Sequence, residues 1–443
     1  METPTFLDGL CQSYFRRDVH VREPRKWKRV LSGRLREHAL EATYAIAENL
    51  PERRLKDASL CQGKAGLAIF YAYLAETRSG CSDEKTGLQF LHQAADAVAS
   101  HRMSPGFFGG FTGVAWMMEH LEGRLLESDG EDPNEAIDEA LKVHLTLSPW
   151  RGDYDLVSGL VGFGVYALER LSRNSAIDCL KLAVDRLDEI AERSTGGVTW
   201  FTPPGLLPPH QRKDCPNGFY NVGLAHGVPG VIALLGQVCA TADKRLLAAR
   251  VKARSLLDDA VVWLLAQQPA DRTKSFPYWV GPRISATPTR LAWCYGDLGI
   301  AVALLRAARC VNEPAWEREA LMIARRAAER PAGQSGVRDC GLCHGAAGVG
   351  HIFNRLFQAT GQARFAAAAR FWFERTLQMR RPKQGIGGFL AVRPNPKRPN
   401  EKQWIGLPGI LEGAAGIGLA LLAATTPIEP KWDRMLMLSG GPR

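Results

Sequence analysis

Apolar positions along this chain fall into two alternating patterns. In the first, they recur three and four apart with charged residues between them, as in "RVLSGRLREHALEATYAIAENL" (29–50), "GLQFLHQAADAVAS" (87–100), "NSAIDCLKLAVDRLDEIAER" (174–193) and "EREALMIARRAAER" (317–330). That period predicts amphipathic helices with one buried face. In the second pattern, Gly-x-x-Gly opens a run that is apolar nearly all round, as in "SLCQGKAGLAIFYAYL" from residue 59 and "ILEGAAGIGLALLAA" from 410. Such runs predict helices buried on every side.

Seven copies of the second pattern occur, with first glycines at Gly63, Gly110, Gly159, Gly227, Gly296, Gly345 and Gly413. Their separations are 47, 49, 68, 69, 49 and 68 residues, a base period with an excess in three intervals. A repeat of this length signals a stacked helical architecture. An open solenoid needs polar caps at its ends. Here the terminal copies are as apolar as the central ones, so the expectation is an all-α fold closed into an α/α toroid. Seven hairpins are expected, each an outer amphipathic helix followed by a buried inner one, the glycines permitting close approach where the inner helices start. The excess segments, "GGVTWFTPPGLLPPH" (196–210), "SFPYWVGPRISATPTR" (275–290) and "GIGGFLAVRPNPKRP" (385–399), carry Gly, Pro and aromatics, and predict loops or short β-hairpins on one rim. The expected organisation is a single toroid domain over 1–443, with repeats across roughly 29–425, a basic segment at 1–28 and a short tail at 426–443.

Composition narrows the class of protein. At 443 residues, 46% hydrophobic and 23% charged, the chain has the make-up of a globular protein. No uninterrupted apolar stretch reaches the length of a membrane span. The start, "METPTFLDGLCQSYFRRD", lacks the pattern of a signal peptide, so a cytoplasmic location is expected. Ten scattered cysteines do not form a compact disulfide framework. The net charge of +10 is concentrated in "RRDVHVREPRKWKR" (16–29) and "RPNPKRPNEK" (393–402), with no nucleic-acid-reading motif beside either; nucleic acid is not an expected partner.

In register, the position before each first glycine holds Gln62, Gly109, Ser158, His226, Tyr295, His344 and Glu412. The position before that holds Cys61, Phe108, Val157, Ala225, Cys294, Cys343 and Leu411. A closed ring brings these places to one end of the centre. Cys294, Cys343 and His344 fall in adjacent repeats, and two thiolates with an imidazole suit Zn²⁺ with a fourth position open. Cys61 sits two repeats away, and Cys340 and the remaining cysteines read as packing. Asp155, His226, Arg290 and Tyr295 form a second set, able to move protons and to stabilise an anion. Each has a plainer reading: Asp155 as a helix cap, Arg290 as a surface charge, Tyr295 and Trp293 as core aromatics.

With "YDLVSGLVGFG", "GLAHGVPGV", "RLAWCYGDLG", "GLCHGAAGVG" and "LEGAAGIGLALL" in this frame, the chain resembles the LanC family of lanthipeptide (lantibiotic) cyclases across about 29–425. The resemblance implies one zinc held by Cys294, Cys343 and His344, with Asp155, His226, Arg290, Trp293 and Tyr295 lining the site. It also implies a dehydrated precursor peptide as substrate, with an acidic leader drawn to a basic enzyme. A dehydratase would be a separate chain, in a biosynthetic complex that could bring the cyclase to a membrane.

The implied chemistry suits these residues. A cysteine thiol of the peptide adds across dehydroalanine or dehydrobutyrine, giving the thioether rings lanthionine and methyllanthionine. A free thiol has a pKa near about 8.5 and a metal removes its proton. The addition builds an enolate, for which Arg290 is the candidate partner. His226 is the candidate proton donor, Asp155 its orienter or an alternative acid, and Tyr295 a positioner of the peptide. Three other readings stay open: a LanC-like zinc protein that binds glutathione or a protein partner, another zinc-thiolate alkylation enzyme on an α/α toroid, and a sugar-processing α/α barrel using Asp155 and Glu412.

Overall fold

The computed structural model describes residues 26–50, 55–78, 81–127, 130–285 and 287–439. Most of the basic segment expected at 1–28 lies outside them. Outer and inner helices alternate from the start: α1 (Gly33–Asn49) is outer, α2 (Lys64–Ala75) inner, α3 (Cys81–Ser100) outer, α4 (Phe111–Leu121) inner, α5 (Glu135–Leu145) outer and α6 (Leu160–Glu169) inner. Outer α7 (Asn174–Glu189) precedes a short α8 (Pro209–Asp214), then inner α9 (Val228–Cys239) and outer α10 (Leu247–Ala266). Inner α11 (Asp297–Val311), outer α12 (Pro314–Glu329), inner α13 (Ala346–Thr360), outer α14 (Ala363–Gln378) and inner α15 (Ala414–Thr425) complete the toroid. Each inner helix touches the next, and α15 returns to α2. One continuous apolar core runs through all seven repeats.

The hairpins are phased half a repeat from the expected order. Each inner helix packs closely on the outer helix that follows it, except α4, whose contact with α5 is slight. The connections explain the phase: Asn312 and Gly361 end α11 and α13 in the left-handed conformation and turn the chain at once, and Pro314 opens α12 without missing an amide bond. The final inner helix therefore has no outer helix after it, and α1 fills that place. The amides of Val30 and Leu31 both donate to Ala424 O at 3.0 Å, and the Trp27 indole donates to Ala423 O at 2.8 Å.

All seven first glycines cap inner helices. The reason for Gly-x-x-Gly is spatial. At each second glycine, from Gly66 to Gly416, a Cβ would lie no farther than 2.6 Å from the carbonyl oxygen six residues earlier. The preceding turn folds directly over the first helical turn, and only a bare Cα fits there.

Where α5 packs sparsely, charge takes over. Arg170, fully buried at the end of α6, binds Glu119 of α4 at 2.5 Å, Asp132 at 2.7 Å and Asp138 of α5 at 2.8 Å.

The inserted segments form short antiparallel sheets as expected. Strands β1 (Glu192–Ser194) and β2 (Gly197–Thr199) pair with each other. Strands β3 (Phe201–Thr202), β4 (Phe219–Asn221) and β5 (Trp279–Val280) form a sheet in that order. Strands β6 (Ala391–Asn395) and β7 (Arg398–Ile405) form a hairpin with Ala391 opposite Ile405.

Within the expected C-terminal segment, residues 430–438 fill the middle of the ring. Trp432, Met435, Leu436, Met437 and Leu438 are buried. Asp433 accepts hydrogen bonds from His351 Nε2 of α13 at 2.7 Å and from Arg355 at 2.6 Å, while Arg434 pairs with Glu169 of α6 at 3.2 Å. Repeats three and six lie across the ring from each other, so a segment that touches both occupies its centre.

Candidate functional site

The turns that precede the inner helices are joined by their backbones into a belt. Cys61 N donates to Phe108 O (3.0 Å), Phe108 N to Val157 O (2.9 Å) and Leu156 N to Ala225 O (3.1 Å). Ala225 N then donates to Cys294 O (3.3 Å), Cys294 N to Cys343 O (3.3 Å), Cys343 N to Leu411 O (2.7 Å) and Ile410 N to Cys61 O (2.8 Å). The belt closes on itself through all seven repeats. It fixes neighbouring side chains of the register against each other although they are dozens of residues apart.

Cys294, Cys343 and His344 meet on this belt, their ligand atoms within 4.8 Å of one another. Cys294 is buried and the other two are half-buried. The Cys343 thiol donates to the Cys294 sulfur; that hydrogen bond holds Cys294 well below the usual thiol range and pushes Cys343 well above it. Arg290 adds a charge that favours the thiolate at both, and its Nε is buried without a hydrogen-bond partner. His344 Nδ1 is likewise buried and unpartnered, while Nε2 faces Glu412 Oε1 at 3.7 Å. The other oxygen of Glu412 pairs with Arg393 of β6. Two convergent sulfurs and an orphaned imidazole nitrogen are a donor set able to bind a metal, and a carboxylate behind the imidazole is the usual second partner of a ligating histidine.

The second set stands one belt step away. His226 Nδ1 donates to Asp155 Oδ2 at 2.5 Å. Burial opposes charging of this imidazole, but the hydrogen bond and charge of Asp155 outweigh it and its pKa is raised. Asp155 Oδ1 accepts from Ser158 N at 2.7 Å, so one carboxylate caps the turn and orients the imidazole. Burial and the charge of Asp155 also push the neighbouring Asp153 carboxyl up to about 6. The Tyr295 ring lies 6.1 Å from that of His226, its hydroxyl accepts from Asn221 Nδ2 at 3.2 Å, and burial pushes it up to about 12. Trp293 is placed differently from the others. It is 1% exposed, packs edge-on to Phe108 and donates its indole N–H to Leu436 O at 2.8 Å. Its side chain braces the ligand loop against the central segment, away from the open rim.

The sequence model of the family described as "Lanthionine synthetase C-like protein" matches residues 55–437. The chain belongs to this family. Among curated proteins, the LanC-like chain is 22% identical over 323 residues to the nisin biosynthesis protein NisC of Lactococcus lactis subsp. lactis, covering 67% of this chain and 74% of that one. Among solved structures it matches a nisin cyclase with a TM-score of 0.69 at 17% identity, over 91% of this chain and 97% of the other. That match spans the LanC-like toroid from end to end.

Two contributors escaped the sequence reading. Glu412 occupies the register slot beside His344, yet its place behind the imidazole depends on Arg393, which comes from an insertion. Asn221 sits six residues before Gly227, where Asp57 and Asp339 stand in their repeats. All three accept the amide two residues on, Asn221 at 2.9 Å, Asp57 at 2.7 Å and Asp339 at 3.3 Å. Reading that column would have found it.

Proposed function

We propose that this chain is a zinc-dependent lanthipeptide cyclase. It adds cysteine thiols of a ribosomally made precursor peptide to dehydroalanine and dehydrobutyrine, forming lanthionine and methyllanthionine rings. The observation that carries the reading is the junction of a Cys-Cys-His cluster with an Asp155–His226 pair and the unpartnered Arg290 Nε. Cys294, Cys343 and His344 are the proposed holders of one zinc per chain. When bound, zinc supplies a Lewis acid that stabilises the substrate sulfur as thiolate at neutral pH.

The remaining work falls to side chains. Arg290 faces the enolate that develops as the thiol adds to Cβ, where a guanidinium shielded from water acts most strongly. His226, kept protonatable by Asp155, delivers the proton to Cα. Tyr295, held by Asn221, positions the peptide. Trp293 contributes by fixing the loop that carries Cys294. The rival sugar-processing reading loses ground because Glu412 is already engaged by Arg393 and His344.

The substrate proposed is a dehydrated precursor with an acidic leader, made by a dehydratase on a separate chain. No described helix is long and apolar enough to cross a membrane, in keeping with a cytoplasmic enzyme that meets membranes only within a biosynthetic complex. The whole chain is read as one catalytic domain.

Metal analysis of wild type and Cys294→Ala tests the reading. One zinc per chain in wild type, lost in the variant, and thioether formation on a dehydrated peptide are the expected results. Carefully purified wild type with no zinc would remove the proposed thiol activation.

A further inference from the structure

A cavity of about 270 Å³ opens beside the Cys343 loop, between the end of α14 and the β6–β7 hairpin. Its lining includes Asp339 and Cys340 of that loop, Arg375 of α14, Arg381, Leu390 and Trp404 of β7. The Arg381 guanidinium lies over the Trp404 ring, 5.2 Å from its centroid. That indole is 47% exposed, an unusual state for the largest apolar side chain. Arg375 gives one N–H to Gln378 Oε1 at 3.2 Å, and its Nε is buried without a partner. Among the described residues neither arginine pairs with a carboxylate. Asp339 does not serve them: its two oxygens accept from Gly341 N at 3.3 Å and Val392 N at 3.1 Å.

We propose that this cavity is a docking site for an acidic segment of a peptide, one presenting a carboxylate beside an apolar side chain. Two guanidiniums with free N–H edges match a carboxylate, and guanidinium–carboxylate pairs are among the strong hydrogen-bonded ion pairs. The open face of Trp404 and Leu390 takes the apolar neighbour. Cys340 and Cys343 are three residues apart, so the loop between this cavity and the candidate metal cluster spans at most roughly 10 Å. A peptide held here keeps its remaining length within reach of the rim. The proposal rests on the cyclase reading only for which peptide carries the segment.

The test is binding of a fluorescein-labelled synthetic peptide of alternating glutamate and leucine, followed by anisotropy at low and high salt. The proteins are wild type, Arg375→Gln/Arg381→Gln and Trp404→Ala, each checked for unchanged thermal unfolding. Wild type should bind saturably and more weakly at high salt, and the double arginine variant at least about tenfold more weakly than wild type. Trp404→Ala should lose a smaller factor. Undiminished binding by the arginine variant overturns the proposal, as does wild type that captures anionic phospholipid vesicles but not the peptide. If zinc and ring formation are absent while arginine-dependent binding persists, the cyclase reading fails and the docking site stands.

Discussion

Replacing Asp155 by Asn separates the two forces acting on His226. In the wild type, burial depresses the imidazole pKa, while the 2.5 Å hydrogen bond to Asp155 raises it and wins. The His226 side chain is 41% exposed, so solvent screens the attraction to well below its interior value. A worth of about 1–1.5 kcal/mol follows, between a surface pair and a dry one. Asp155→Asn is therefore expected to lower the His226 pKa, because burial then acts without the opposing carboxylate. The assay is NMR titration with histidine labelled at Cε1, the signal being assigned by its loss in His226→Gln. The descending limb of the cyclisation pH profile should move to more acid pH by the same amount. Stability carries the same sign: a raised pKa stabilises fully below the unfolded value and loses that stabilisation as pH rises through the folded one. Asp155→Asn should thus cost more in urea unfolding at acid pH than at alkaline pH. An unchanged or higher His226 pKa in the variant would refute the assignment of Asp155 as the dominant partner.

Glu412→Gln should weaken zinc binding about 10–100-fold in a chelator competition while leaving helical content intact, because the carboxylate backs the His344 imidazole. Gly113→Ala should destabilise the fold by about 3 kcal/mol or more in denaturant titration, since its Cβ would strike the Phe107 carbonyl. Gly109→Ala, whose Cβ meets nothing within 4 Å, should stay within about 0.5 kcal/mol of wild type. Arg170→Met removes the buried guanidinium that Glu119, Asp132 and Asp138 share, and should cost about 3–5 kcal/mol of unfolding free energy.

The toroid was legible because one local constraint recurs: a turn folded over a helix start forbids a Cβ, so glycine marks each inner helix in the sequence itself. The meeting of Cys294, Cys343 and His344 was legible for the same reason, since the register that aligns the glycines also aligns these three. What escaped depends on contacts between repeats and on burial. "IEPKWDRMLML" has no helical or strand period, and its place in the ring is set by partners on repeats three, five and six. Trp293 looks like a wall of the site because it adjoins a ligand, yet only the position of Leu436 decides where its indole points. The hairpin phase also escaped, because period alone does not say whether a buried helix pairs with the amphipathic helix before it or after it.

The belt has a consequence for how the protein is made. Its last links need Leu411 and Ile410, and the middle of the ring needs residues up to Leu438, all of which are made after both cysteines. Cys343 is synthesised 95 residues before Leu438, which at about 5–20 residues per second is roughly 5–20 s. For that interval Cys294 and Cys343 exist without the structure that shelters them, open to oxidants and to whichever metal arrives first.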